Sequence, residues 1–229
     1  MTFLNTAPNM PTALLFDMDG LLVETESIWH LAEREILADL DATWTRELGA
    51  RLVGGPISYA ADELAAAAGG VITGAEMAAR LVTRMESLLA TEPIHWRPGA
   101  KSLIQLARDA ELPCALVSNS YRGLVNAVLD ALATDLGSVP FSTTVSADEV
   151  RHGKPAADPY LAAAARLEAR PEHCLVLEDS LVGVTAGLAA GCRVLAVPSE
   201  AAIQPGPRLA VRSTLEGLTL PDLAALFND

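Results

Sequence analysis

The chain has 229 residues, a formal net charge of -13 and a composition that is half apolar and poor in aromatics. That length accommodates one large domain, or a core with a smaller module, of a soluble globular class. The acidic balance excludes nucleic acid as a main partner, because phosphate backbones need clustered Lys and Arg. An anionic small molecule requires a metal ion or a few local cations to reverse the field around it.

Residues 1–11 show no basic segment followed by a long apolar run, so they are expected to be a short disordered lead-in and not a signal peptide. No window is long and apolar enough to span a bilayer, which predicts no membrane partner. Cys114, Cys174 and Cys192 are odd in number, lack CxxC spacing and lie in or beside apolar runs. Buried free thiols and a cytoplasmic location are expected.

A first strand is predicted over Thr12 to Phe16. It ends in Asp17-Met18-Asp19-Gly20. Residues two apart in an extended chain point to the same side, so Asp17 and Asp19 can face one pocket, and Gly20 allows the turn. Alone, this stretch also reads as a turn with helix-capping aspartates. A helix is expected from about Thr25 through Leu40, carrying apolar residues at i, i+3, i+4 spacing. Gly54-Gly55-Pro56 breaks the chain, Ser58 to Ala68 reads as helix stopped by Gly69-Gly70, and Thr73-Gly74-Ala75-Glu76 has capping-box spacing before Leu81, Met85, Leu88 and Leu89. From that first helix to about residue 94 no strand is expected, so 25–94 reads as an all-helical insert.

After Pro93 the pattern alternates. Helices are expected over Ala100 to Ala110, Leu124 to Leu132, Asp158 to about Glu168, the stretch ending at Ala190, and Pro221 to Phe227. Strands are expected at Cys114 to Val117, Thr143 to Ser146, Cys174 to Leu177 and Val194 to Val197. Asp158-Pro159 is an expected helix start with Asp158 at the N-cap. Strands alternating with helices imply a parallel sheet covered on both faces, whose ligands sit beyond the carboxyl ends of the strands.

The polar clusters fall at those ends. Asp17 and Asp19 follow the first strand, Ser118-Asn119-Ser120 a later one, and Glu178-Asp179-Ser180 another. Gly153-Lys154-Pro155 follows the strand near Val145 after a short loop. Each cluster has an ordinary reading as a cap or a solvated charge, but four at successive strand ends suggest one crevice. The chemistry that needs this set is phosphoryl transfer through a carboxylate. It takes a nucleophile, cations to cancel its repulsion from phosphate, hydroxyl and N–H donors for phosphate oxygens, and a second acid for the leaving alkoxide.

In that order, the four motifs resemble those of the haloacid dehalogenase-like (HAD) hydrolase superfamily, and the helical insert resembles its α-helical cap. The resemblance spans Leu14 to about Val197. It implies an α/β fold, a doubly wound parallel sheet with an inserted all-α cap, divided as core 1–24 and 95–229 and cap 25–94. It further implies Asp17 as nucleophile and Mg²⁺ ligand, and Asp19 as general acid/base that also offers its carbonyl to the metal. Ser118 and the Asn119 amide would hold phosphate, Lys154 would bridge nucleophile and phosphate, and Glu178 with Asp179 would complete the metal site.

Family dehalogenases lack the second aspartate, so Asp19 points to phosphate esters. Mutases resembling β-phosphoglucomutase carry a histidine where ungapped alignment puts Trp29 here, with His30 one position late, and a cap arginine that Gly54 to Ser58 does not offer. Glu24, at the expected hinge, stands where the family more often has aspartate. The first motif resembles that of hexose- and 2-deoxyhexose-6-phosphate phosphatases. The expected function is therefore a Mg²⁺-dependent phosphatase of small phosphorylated metabolites, sugar or polyol phosphates. The alternatives are a sugar-phosphate mutase and a non-catalytic sensor of a phosphorylated ligand. The oligomeric state is left open, with a monomer compatible. Arg122, close after the serine cluster, reads either as a phosphate contact or as a solvated helix-end arginine.

Overall fold

The structure, a computed structural model, describes residues 10–53, 55–199 and 202–227. Gly54 of the Gly-Gly-Pro break and residues 1–9 of the expected lead-in lie outside the described residues.

In chain order the elements are β1 (Ala13–Phe16), β2 (Val23–Glu24), α1 (Glu26–Asp39), α2 (Arg46–Leu52), α3 (Ile57–Ala67), α4 (Gly74–Leu89), β3 (His95–Trp96), α5 (Ala100–Asp109), β4 (Cys114–Val117), α6 (Arg122–Leu136), β5 (Thr143–Val145), α7 (Asp158–Arg166), β6 (Cys174–Glu178), α8 (Leu181–Ala189), β7 (Arg193–Ala196), β8 (Leu209–Val211) and α9 (Leu220–Ala225). Among the described residues, β5-β4-β1-β6-β7-β8 form a parallel sheet. The two central strands, β1 and β6, are apolar throughout except for the terminal Glu178, as strands covered on both faces must be.

Strand alternation sorts the core into two layers. Leu14, Phe16, Leu116, Leu175 and Leu177 pack with α5, α6 and the helices of the insert. Ala13, Leu15, Val117, Cys174 and Val176 pack with α7 and α8. The fold is thus α/β and doubly wound, with an inserted helical unit, α1 to α4, between β2 and β3. α3 and α4 pack on one another, α1 packs on α4, and α4 also rests on α6.

Four elements escape the sequence patterns. The helix α2 is only seven residues long, too short for a periodic signal, and Thr45 caps it by accepting from the Leu48 N–H at 3.1 Å. The strands β2 and β3 are two residues each and pair antiparallel, Val23 with Trp96 and Glu24 with His95, where the chain enters and leaves the helical insert. Edge strand β8 lies beyond the last predicted strand. The expected start of α7 needs a correction: Ala157 is the N-cap and Asp158 is already the first helical residue, while Glu168 has a positive φ of 53° past the end of the helix.

Candidate active site

The carboxyl ends of β1, β4 and β6 converge on a cavity of about 400 Å³ that continues beneath the helical insert. Asp17, Asp19, Ser118, Asn119, Lys154 and Asp179 all line it. Glu178 stands directly below.

Lys154 is buried, and its Nζ donates to Asp17 Oδ1 at 2.5 Å, Glu178 Oε1 at 2.7 Å and the Val117 carbonyl at 2.9 Å. Its ammonium lies 5.0 Å from the Tyr160 ring centroid, and the Tyr160 hydroxyl donates to Glu178 Oε1 at 2.7 Å. The two carboxylates beside Lys154 raise its pKa against the opposing effect of burial, which keeps it charged. The other Glu178 oxygen accepts from the Asp179 and Ser180 N–H groups and from the Ser180 hydroxyl. Ser180 Oγ in turn caps α8 by accepting from the Gly183 N–H. This fully buried carboxylate is held at both oxygens.

Asn119 turns its side chain onto the backbone of Lys154, accepting from its N–H at 2.8 Å and donating to its carbonyl at 3.1 Å. Its carboxamide therefore fixes the lysine loop. Asp19 has a different set of partners. One oxygen accepts from Thr25 Oγ1 at 2.5 Å, the other from Ser120 Oγ at 3.1 Å and Ser118 Oγ at 3.4 Å. Burial raises the pKa of Asp19, and the Thr25 and Ser120 hydrogen bonds oppose the rise. Asp17 is raised well above the usual range by burial and by Glu178, with Lys154 pulling it down.

Between the two aspartates and Asp179 the backbone has no room to spare. Gly20 has φ +81°, and a Cβ there would meet Asp179 Oδ2 at 2.1 Å. Asp179 Oδ2 also accepts from Ser199 Oγ at 2.7 Å. Glu24 accepts from the N–H groups of Glu26 and Ser27, so it satisfies the start of α1 at the hinge position. Arg122, the first residue of α6, pairs with Glu149 and donates to Thr144 Oγ1, so it is tied to neighbouring side chains and does not line the cavity, and His152 sits exposed beside Asp158.

The motif residues thus meet in one place. Sequence reasoning missed Tyr160, Thr25 and Ser199. None sits in a distinctive local pattern, and each reaches its partner only through the fold.

Residues 11–191 match the family model of haloacid dehalogenase-like hydrolases. The chain belongs to that family. Hexitol phosphatase B of Escherichia coli K12 is 33% identical over 230 residues, covering 95% of this chain and 99% of that protein. The bifunctional riboflavin kinase/FMN phosphatase of Arabidopsis thaliana is 32% identical over 204 residues, covering 87% of this chain; the match spans about half of that relative, 52%. The solved structure of CbbY from Rhodobacter sphaeroides in complex with phosphate superposes with a TM-score of 0.77 at 27% identity, covering 93% of this chain and 99% of the other.

For a haloacid dehalogenase-like hydrolase, the test of a metal site is its donor set. Asp17, Glu178 and Asp179, all buried, each bring an oxygen within 4.8 Å of the others. Burial and the Glu178 charge push Asp179 up to about 7. Lys154 alone leaves this cluster with surplus negative charge, and hard oxygen donors around such a surplus suit a hard divalent cation.

Proposed function

We propose that this chain is a Mg²⁺-dependent phosphatase of small phosphorylated metabolites, sugar or polyol phosphates, which carries the phosphoryl group transiently on Asp17. Membership in a hydrolase family, with a phosphatase-named relative matched along its whole length, makes it a phosphomonoester hydrolase. The observation that carries the finer reading is the division of labour between two aspartates one residue apart. Asp17 is tied to Lys154, while Asp19 is held by three hydroxyls, Thr25 at the start of the insert and Ser118 and Ser120 after β4.

In this reading an Asp17 oxygen attacks phosphorus, and the bond from phosphorus to the ester oxygen breaks. Asp19, its pKa raised by burial, gives its proton to the departing alkoxide. Asp19 then takes a proton from water as that water attacks the phosphoryl-aspartate, freeing inorganic phosphate and Asp17. Lys154 neutralises Asp17 and a phosphate oxygen, and Ser118 with the Asn119 main-chain N–H donates to the others. Asp17, the Asp19 carbonyl, Glu178 and Asp179 would hold Mg²⁺, which supplies electrostatic stabilisation of the charge on phosphate.

The proposed division is a core of 1–24 and 95–229 with a cap of 25–94, supported by the four helices, α1 to α4, that lie between β2 and β3 among the described residues. The proposed compartment is the cytoplasm, supported by three free buried cysteines; no helix among the described residues is long and apolar enough to cross a membrane.

The test is phosphate release from a metabolite panel with Mg²⁺, beside an Asp17→Asn control. Release by the native chain and background values for Asp17→Asn are expected. Full activity in Asp17→Asn defeats the mechanism. A sugar 1-phosphate isomerised faster than it is hydrolysed would indicate a mutase, and ligand-induced stabilisation without turnover a sensor.

A further inference from the structure

The cavity does not end at the phosphate chemistry. Its far wall belongs to the helical insert, and there it meets Glu33 of α1. Glu33 is 3% exposed, yet among the described residues its one hydrogen bond is to Trp44, whose Nε1–H donates to Oε2 at 2.8 Å. A buried carboxylate held by a single donor is a costly way to join a helix to a loop. The same joint would be served by a neutral acceptor.

Trp44 is itself well fixed. Arg34 lies over its ring at 4.4 Å, the His30 ring centroid is 5.0 Å away, and Gly49 of α2 admits the indole edge, since a Cβ there would lie 2.2 Å from it. Glu33 is therefore aimed with little freedom. Burial pushes its pKa up to about 7, with the Trp44 hydrogen bond opposing. A further donor is what this carboxyl lacks.

The charge of the wall narrows the donor. Glu24, Glu26 and Glu33 line the insert side together with His30, which pairs with Glu26, and the partly buried Arg97 also lines the cavity. A second phosphate or carboxylate on the ligand would face three carboxylates. A neutral hydroxylated tail would instead offer O–H donors to them.

We propose that Glu33, positioned by Trp44, is a specificity-determining residue whose free oxygen accepts a hydroxyl from the uncharged, polyhydroxylated part of the substrate. This rests on the phosphatase reading above and concerns the same cavity. Losing a hydrogen bond to a charged group corresponds to a loss of roughly 10- to 100-fold.

The experiment is steady-state hydrolysis with Mg²⁺ by the native chain, Glu33→Gln and Glu33→Ala, on three probes. Sorbitol 6-phosphate carries a neutral hydroxylated tail, p-nitrophenyl phosphate carries none, and fructose 1,6-bisphosphate carries a second anion. Glu33→Ala is expected to lower kcat/KM for sorbitol 6-phosphate by about 10- to 100-fold, mainly through KM, with p-nitrophenyl phosphate changed less than about twofold. The preference for sorbitol 6-phosphate over the bisphosphate is expected to shrink in both variants. Glu33→Gln keeps the shape and an acceptor for Trp44, so it guards against a misfolded Glu33→Ala. Equal losses on the first two probes, or no change on either in both variants, overturn the inference while leaving the phosphatase reading intact. No turnover of any probe by the native chain overturns both.

Discussion

Lys154 sits where two carboxylates, Asp17 and Glu178, are drawn out of water together, and its ammonium is the cation between them. Burying such charges is favourable only when every lone pair and proton is engaged, and here the Val117 carbonyl and Tyr160 complete the set. Glu33 is the opposite case, a buried carboxyl with one donor, and its consequence can be measured without substrate. Its pKa is about 7 in the folded chain against an ordinary 4.5. Between those values the folded state binds the extra proton, so stability falls as pH rises through that window. Glu33→Gln removes this loss. Relative to the Gln variant, the native chain is expected to lose about 2–3 kcal/mol between pH 5 and pH 8, read from urea unfolding at both values. A constant difference would show that Glu33 does not titrate as its burial requires. Asp17 announces itself in the sequence by following an apolar run and Lys154 by its place in Gly153-Lys154-Pro155, whereas Glu33 lies unmarked among charged neighbours on a helix.

At the scale of elements, the termini do most of the positioning. Ser180 caps α8 while holding Glu178, Glu24 opens α1 beside the pocket, and α4 begins with a reciprocal capping box between Thr73 and Glu76. The capping box was fully legible in Thr73-Gly74-Ala75-Glu76, because each of its hydrogen bonds spans three residues. It is remote from the chemistry, so it provides a clean test. Thr73→Ala is expected to cost about 1 kcal/mol and to lower the Tm by about 2–4 °C in a thermal melt, with phosphate release unchanged. A loss of activity at working temperature would instead tie α4 to catalysis. The short pair β2 and β3 had no such local signature. Val23 finds Trp96 across the whole helical insert, and two residues give no alternation to read.

For the whole molecule, the question is how a chain of net charge -13 accommodates an anion. At the core end Lys154 and the strand-end donors stand among Asp17, Asp19 and Asp179, so a divalent cation held by the acidic cluster would be needed to offset the remaining charge, while Glu24, Glu26 and Glu33 line the insert side. The insert is connected to the core through the antiparallel pair β2 and β3 and rests on α6 through α4. Bringing the insert's wall onto a ligand is expected to compact the molecule. Small-angle scattering should give a smaller radius of gyration with Mg²⁺ and orthovanadate than without them, and equal radii would count against closure. Sequence alone determined the alternation of strands and helices, the helical insert, and the four polar clusters at strand ends, because each is written in residues a few positions apart. Only the tertiary structure decided that Asn119 clamps the Lys154 backbone, that Thr25 and Ser120 orient Asp19, that Tyr160 lies beneath Glu178, and that Glu33 opens onto the cavity. Those contacts join residues distant in the chain, and their strength comes from burial, which appears only once the sheet and insert have closed around them.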